Sequence, residues 1–484
     1  LNDEYNSKDD EKNIIINIKK NSKENFKVES LLKNKKTKIN TKELNKYFRI
    51  GTNFLKDQTI VFGSENNIKF NIDKNIKIKN LKIKSNINFG NLKFDYKSSK
   101  LKKRITNYKD YILLNSNYLE LDHNNNKTLI KAKGSYSLND KFDVYKINIE
   151  RKKNKYDFES SIELKNNPLI IEEIDLSKNK DTPSIIELKG NYIKNKDIKI
   201  EYAQYLEDKN KIAISNLKLS RDYRIKDIDT LELNYLNKNK NLNNLKILKS
   251  KNKYILKGEQ FDGESLVKNI LNGNSNNSFL KIFKNLDSEI NLNLRKFYSG
   301  NQSNLKNIIG KIIVKNNIIK SGKIDALLNE KNEFSLNIKT NANNEKITNL
   351  YIEKPEPFIK NYKFIKGFDE GNLSFDSVEK SGLSKSTLKI YDFKVKEVPV
   401  LAKLLTLASL QGIADLLTGE GIRFDEFEMD YESKNNTTTI NEMYAIGPAI
   451  SMLMEGYISK NKLISLRGTL VPATTVNKTI AKIP

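Results

Sequence analysis

The chain has 484 residues, 86 Lys and Arg against 60 Asp and Glu, a formal charge of +26, no Cys, no Trp, 8 Pro, 20 Gly and a 37% hydrophobic share. Without cysteine there is no disulfide framework and no thiol chemistry, and this apolar share under-supplies a compact core while sufficing for a single-layer sheet with one apolar face. The basic residues are mostly Lys interleaved with Asn and Ile along the whole length, which argues against a specific nucleic-acid site and for a diffuse attraction to anionic membrane surfaces.

In chain order, residues 1–57 are a polar segment rich in Asn, Lys, Asp and Glu, read as partly disordered or as the first strands. From residue 58 strict alternation takes over. Ile68, Phe70, Ile72, Ile76 and Ile78 point one way while Lys69, Asn71, Lys77 and Lys79 point the other, the period-two signature of a half-buried strand. The phase then shifts, so that Leu81, Ile83, Ile87 and Phe89 form the next apolar set. Similar runs recur from Leu129 to Leu138, Ile185 to Ile200, Ile212 to Leu219, Ile308 to Val314 and Phe334 to Ile338. A loose repeat accompanies them, an alternating run closed by Lys133-Gly134, Lys189-Gly190, Lys257-Gly258 or Arg467-Gly468, where Gly relieves curvature or marks a bulge.

Helical signal is sparse. Glu264 to Leu271 and Pro355 to Tyr362 are short candidates, and Val398 to Leu417 is the strong one, with Pro399 in its first turn and Gly419 and Gly421 beyond its end. One of its stripes is Leu401, Leu405, Ala408, Gly412 and Leu416. Leu407, Leu410, Ala414 and Leu417 lie nearly opposite, and Leu404 and Ile413 complete the apolar surface. A helix apolar all round is either buried on both sides or faces hydrocarbon, and the sequence leaves both open. No stretch reaches the roughly 18–20 apolar residues that span a bilayer.

Chemistry-bearing constellations are missing. His123 is the only histidine and sits in Asp122-His123-Asn124-Asn125-Asn126, which reads as an exposed turn. There is no phosphate-cradling Gly-Lys-Ser/Thr loop and no Gly-x-Ser-x-Gly elbow. Glu426, Glu428, Asp430 and Glu432 share one strand face. At a spacing of about 6.6–6.8 Å they read as an outer face paired with lysines rather than as a cation site. The expectation is a non-enzyme with neither cofactor nor metal.

The order of landmarks from residue 381 onward carries the one specific signal. A strand precedes Val398-Pro399; Ala408-Ser409-Leu410-Gln411-Gly412, Gly419-Glu420-Gly421-Ile422-Arg423-Phe424, Gly447-Pro448-Ala449 and Gly468-Thr469-Leu470-Val471-Pro472 follow. That order resembles the C-terminal region of the AsmA-like envelope proteins, in particular the long YhdP-type members. The resemblance implies a mostly β fold, an elongated antiparallel repeating β-groove like a folded taco, with a few helices and the main one near the C-terminus. It divides the chain into the polar segment 1–57, a groove body 58–380 and a C-terminal region 381–484. It implies a bridge-like lipid-transfer protein of the periplasm that carries phospholipid between inner and outer membrane, held in the inner membrane by a helix preceding Leu1.

In that reading the partners are phospholipid acyl chains, both membranes and envelope proteins. The candidate lipid-contacting residues are Ile68, Phe70, Ile72, Leu81, Ile83 and Phe89 in the body and the apolar residues of the 398–417 helix. Pro399, Gly412, Gly419, Gly421, Gly447, Pro448, Gly468 and Pro472 are the motif positions. The alternative is an assembly factor for outer-membrane proteins resembling the TamB branch, and a weaker one is a β-repeat adhesin.

Overall fold

Alternation in the sequence becomes strand throughout the computed structural model, which describes residues 3–9, 12–22, 25–42, 57–139, 141–271, 279–300, 303–362, 366–396, 421–435, 437–461 and 463–472. The chain divides into two units, Leu1–Lys240 and Asn241–Pro484, and each is an open, twisted sheet rather than a closed barrel. The helix expected at 398–417 lies outside the described residues, and with it Pro399, Leu401, Leu404, Leu405, Leu407, Leu410, Gly412, Ile413, Leu416, Leu417 and Gly419.

The first unit is an antiparallel ladder. Strands Asp3–Asp9, Lys12–Ser22, Asn25–Asn40, Thr59–Ile72 and Ile78–Phe89 follow one another. It continues through Tyr111–Asn124, Lys127–Ser137, Phe142–Lys152, Lys155–Glu163, Ile185–Ile193, Ile198–Glu207, Asn210–Leu219 and Thr230–Leu236. The second unit runs from Leu242–Ser250 to Ile464–Pro472 in the same manner, with one exception among the described residues. Strand Lys253–Asp262 pairs parallel with Ser288–Gly300, Leu256 opposite Leu292. A parallel step needs a crossover, and the residues between hold a helix, Glu264–Leu271.

Phase shifts in the sequence are bulges in the sheet. Lys69 faces Lys82 and Asn71 faces Lys79, so Asn80 and Leu81 stand together opposite Phe70. Asn80 takes a left-handed φ of 55°, which an asparagine adopts more readily than other residues with a Cβ. Ile76, placed by alternation on a strand, is instead the tip of the preceding turn, 84% exposed, where the Asp73 carboxylate accepts from the amides of Asn75 and Lys77. Asn307 does at another bulge what Asn80 does here.

The Lys-Gly repeat has the same origin. Gly190 and Gly258 sit at register shifts where the neighbouring strand closes in. A Cβ on Gly190 would lie 2.3 Å from the Lys199 carbonyl oxygen, and one on Gly258 2.2 Å from that of Asn244.

One end of each apolar face is covered. In the first unit the helix α1 (Ser99–Arg104) and the small hairpin Leu169–Ile171/Leu176–Lys178 close over Ile105, Tyr108, Tyr136, Tyr145 and Leu164. Under that cover Lys178 is 1% exposed, and its ammonium donates to the carbonyls of Lys165, Asn167 and Asn179 at 3.3, 2.9 and 2.8 Å. Three acceptors match the three donors of an ammonium, and burial still pushes its pKa down. In the second unit, with Glu264–Leu271 as α2, the helix α3 (Glu356–Tyr362) inserts Ile359 beside stacked Phe368, Phe393 and Phe424, with ring centroids 5.5 and 5.3 Å apart. Stacked aromatic pairs add about 0.5–1.5 kcal/mol each beyond their burial.

Gly190→Ala is expected to destabilise the first unit by about 1–3 kcal/mol, whereas Gly90→Ala, whose added Cβ meets nothing within 4 Å, leaves the urea midpoint in place. Equal midpoints for both variants would refute the close-approach account.

Candidate functional site

Pairing register places one residue of each strand of the second unit in a single row across the sheet. The row is Ile247, Leu256, Leu292, Gly310, Ile324, Leu336, Leu350, Phe375, Leu388, Met429, Met443, Met454 and Gly468. It contains no polar side chain. The next row toward the covered end, from Ala326 through Phe334, Ile352, Leu373, Ile390, Phe427, Ala445 and Met452 to Leu470, is apolar as well.

Burial is graded across these rows. Ile352 and Ile390 are 1% exposed near the cover, while Ile324, Leu336, Met429, Met443 and Met454 are half-buried. Among the described residues no second layer lies over these side chains, and their shelter comes from lateral neighbours.

The first unit repeats the pattern with more interruption. Leu121, Ile130, Ile149, Phe158, Gly190, Ile200 and Leu217 form one row. Leu119, Ala132, Ile147, Ser160, Leu188, Ala203 and Ile214 form its neighbour. Toward the N-terminal strands the same rows turn polar. Asn34 and Asn66 bracket Ser64, the Asn34 amide donating to the Phe62 carbonyl at 3.1 Å and that of Asn66 to Ser64 Oγ at 2.8 Å, and Ser85 is buried beside them.

The expected contact residues in the body lie together on this face. Ile68 is opposite Ile83, Phe89 is opposite Phe62, and Ile72 is opposite Ile78. Phe70 lies opposite Val28. These four with Leu81 and Ile83 are all half-buried. The described motif residues have local structural parts. Gly421 takes a φ of 84° against Val395 and Lys396, Gly447 and exposed Pro448 turn the chain between strands Thr437–Ile446 and Ile450–Ile458, and Gly468 and Pro472 face Met454 and Ile450 in the last strand.

His123 is not in a turn. It ends strand Tyr111–Asn124 on the apolar face, half-buried, opposite Ile83 and Thr128, with Nδ1 2.8 Å from Thr128 Oγ1. Its row continues through Arg151, Tyr156 and Tyr192. The sequence signal for this row is alternation itself, since Arg151 keeps phase with Ile147 and Ile149.

The opposite face is a lattice of lysines and carboxylates. Lys389 lies 2.8 Å from Glu428, Lys385 3.0 Å from Glu432, and Tyr444 donates to Glu426 and Glu428 at 3.0 and 2.8 Å, so the 426–432 ladder is engaged by neighbouring strands. Lys389 holds the Glu428 carboxyl below its ordinary range, and the two carboxylates push the Tyr444 phenol up. Lys311 and Lys253, each 2.9 Å away, hold Glu289 down at about 2. Exposed pairs of this kind each contribute little alone.

The chain matches no family model, no curated protein and no solved structure.

A carboxyl depressed in the folded chain stabilises above its ordinary value, 4.5 for Glu289, and loses that contribution as pH falls toward about 2. Melting temperature should therefore decline across that window, and Glu289→Gln should make the decline shallower. Superimposable pH profiles for wild type and variant would contradict the bridging role.

Proposed function

We propose that this chain binds the acyl chains of phospholipids along its apolar faces and works as a bridge-like transfer protein between the inner and outer membranes of a diderm envelope. The observation that carries the reading is the row from Ile247 to Gly468, apolar at every strand and, among the described residues, without a covering layer. An apolar face of this kind in water calls for an apolar occupant, and each methylene it shelters contributes about 0.8 kcal/mol. The C-terminal resemblance to AsmA-like proteins and the diffuse positive charge, suited to anionic membrane surfaces, point the same way. A periplasmic location, anchored through the inner membrane, belongs to the same proposal.

One observation favours the assembly-factor reading as a second. Strand Ile464–Pro472 pairs only with Ile450–Ile458 among the described residues, and its apolar-face residues Ile464 and Leu466 are 61% and 42% exposed. An unpaired strand edge is a template for another strand. A stable complex with an outer-membrane barrel or its assembly machinery, formed by lipid-free protein, would favour that reading.

Lipid extraction and native mass spectrometry of the purified chain test the first. Phospholipid is expected to co-purify. Ile324→Asp, on the apolar row, should cut the bound amount by about tenfold, the equivalent of about 1.4 kcal/mol, while Asn337→Asp on the polar face should leave it unchanged. Protein that carries no lipid and extracts none from vesicles would overturn the proposal.

A further inference from the structure

We infer that the apolar face of the first unit ends in an anion site, built on Arg151 with Tyr156, Tyr192 and His123, that holds the phosphate of a bound amphiphile. The inference rests on the acyl-chain reading above and adds to it a headgroup class and an orientation.

The site is a single row. His123, Thr128, Arg151, Tyr156 and Tyr192 are register partners on five successive strands. The next row inward is the apolar one of Ile149 and Phe158, two residues along each strand and so about 6.6–6.8 Å away. A ligand lying with its chains on those residues would bring its head to this row.

Among the described residues Arg151, an exposed side chain, has no carboxylate partner. The nearest acids in sequence, Glu150 and Asp157, belong to the polar face and are taken by Lys127 and Lys152 at 2.7 and 2.6 Å and by Lys155 at 2.7 Å. Asp122 and Glu120 likewise face Lys84 and Lys131.

Arg151 uses Nε to reach the Lys153 carbonyl at 3.1 Å, and its guanidinium lies 5.6 Å from the Tyr156 ring centroid. The Lys153 carbonyl and the Tyr156 ring hold the guanidinium from one side, and the two terminal nitrogens remain for a phosphate, which an arginine recognises bidentately. The ring of Tyr192 sits 6.2 Å from that of Tyr156, extending the platform. His123 spends Nδ1 on Thr128, which leaves Nε2 as its second contact. A permanent cation beside the Ile149 and Phe158 row, with Glu120, Asp122, Glu150 and Asp157 on the other face, is complementary to an anionic head on an apolar tail.

The test uses the full chain and phosphatidylcholine vesicles doped with fluorescent phosphatidylglycerol or with fluorescent diacylglycerol of the same chains. Wild type is expected to take up phosphatidylglycerol about tenfold better than diacylglycerol, the worth of one charge-assisted contact. Arg151→Gln, with an unchanged melting temperature, should lose that preference and keep its uptake of diacylglycerol. Arg151→Lys should keep part of it, since it restores the charge without the fork.

Inorganic phosphate at physiological concentration should not displace the bound phosphatidylglycerol. If it does, the site is one for the free anion and the headgroup assignment falls. An Arg151→Gln variant with undiminished preference overturns the anion site while leaving the acyl-chain reading intact. Failure of wild type to take up either probe overturns both.

Discussion

Everything in this architecture follows from one constraint: among the described residues each unit has a sheet and only short elements to lay on it. A β-sheet with one apolar face is normally completed by a second sheet or by helices. Here α1, α2 and α3 are short, and the helices that do pack cover one end of the strands. The remaining inward side chains gain their shelter sideways, from the residue opposite on each neighbouring strand. Rows therefore matter more than strands. Ile324 is protected because Gly310 and Leu336 stand beside it.

Lateral protection makes register the property to defend, because a slip of one residue would exchange the apolar and lysine faces. Two devices pin it. Bulges at Asn80 and Asn307 absorb odd residues and restore phase. Glycines at 190 and 258 let strands approach where a Cβ would collide. The abundance of Asn beside only 20 Gly is thus less a bias than a working substitution, with asparagine supplying left-handed turns. On the far face Lys–Glu and Lys–Asp pairs are individually weak. Glu289 nonetheless ties three strands, facing Lys253 directly and reaching diagonally to Lys311, which is opposite Asn291.

The strands were legible because alternation has only one structural meaning over a long run, and α2 and α3 fall where Glu264–Leu271 and Pro355–Tyr362 had pointed. The polar and apolar faces of Ile68, Ile83 and Phe89 were legible for the same reason. What escaped is what depends on contacts between distant residues. Nothing around Lys178 marks it as a lysine buried among carbonyls, and nothing in local pattern announces that Lys253–Asp262 pairs parallel rather than antiparallel. His123 was misplaced by its neighbours, since a run of Asn on one side hides the Leu119, Leu121, His123 alternation on the other. Arg151 was invisible as a site because a cation in phase with isoleucines looks, in sequence, like one more surface charge.

The apolar face also changes character along the second unit. All 4 methionines of the chain, Met429, Met443, Met452 and Met454, fall on three adjacent strands of this face, three of them in one row. The same row is elsewhere mostly leucine, at Leu256, Leu292, Leu336, Leu350 and Leu388, with isoleucine at Ile247 and Ile324. Methionine differs from these branched side chains in being unbranched, with three rotatable bonds and a polarisable sulfur that fits irregular contacts. A methionine-rich surface can repack around contacts of more than one shape. The strands that carry it, between Ile422 and Ile458, also lie next to the exposed edge at Ile464 and Leu466. In the second unit, conformable side chains and a strand edge unpaired among the described residues therefore occur together.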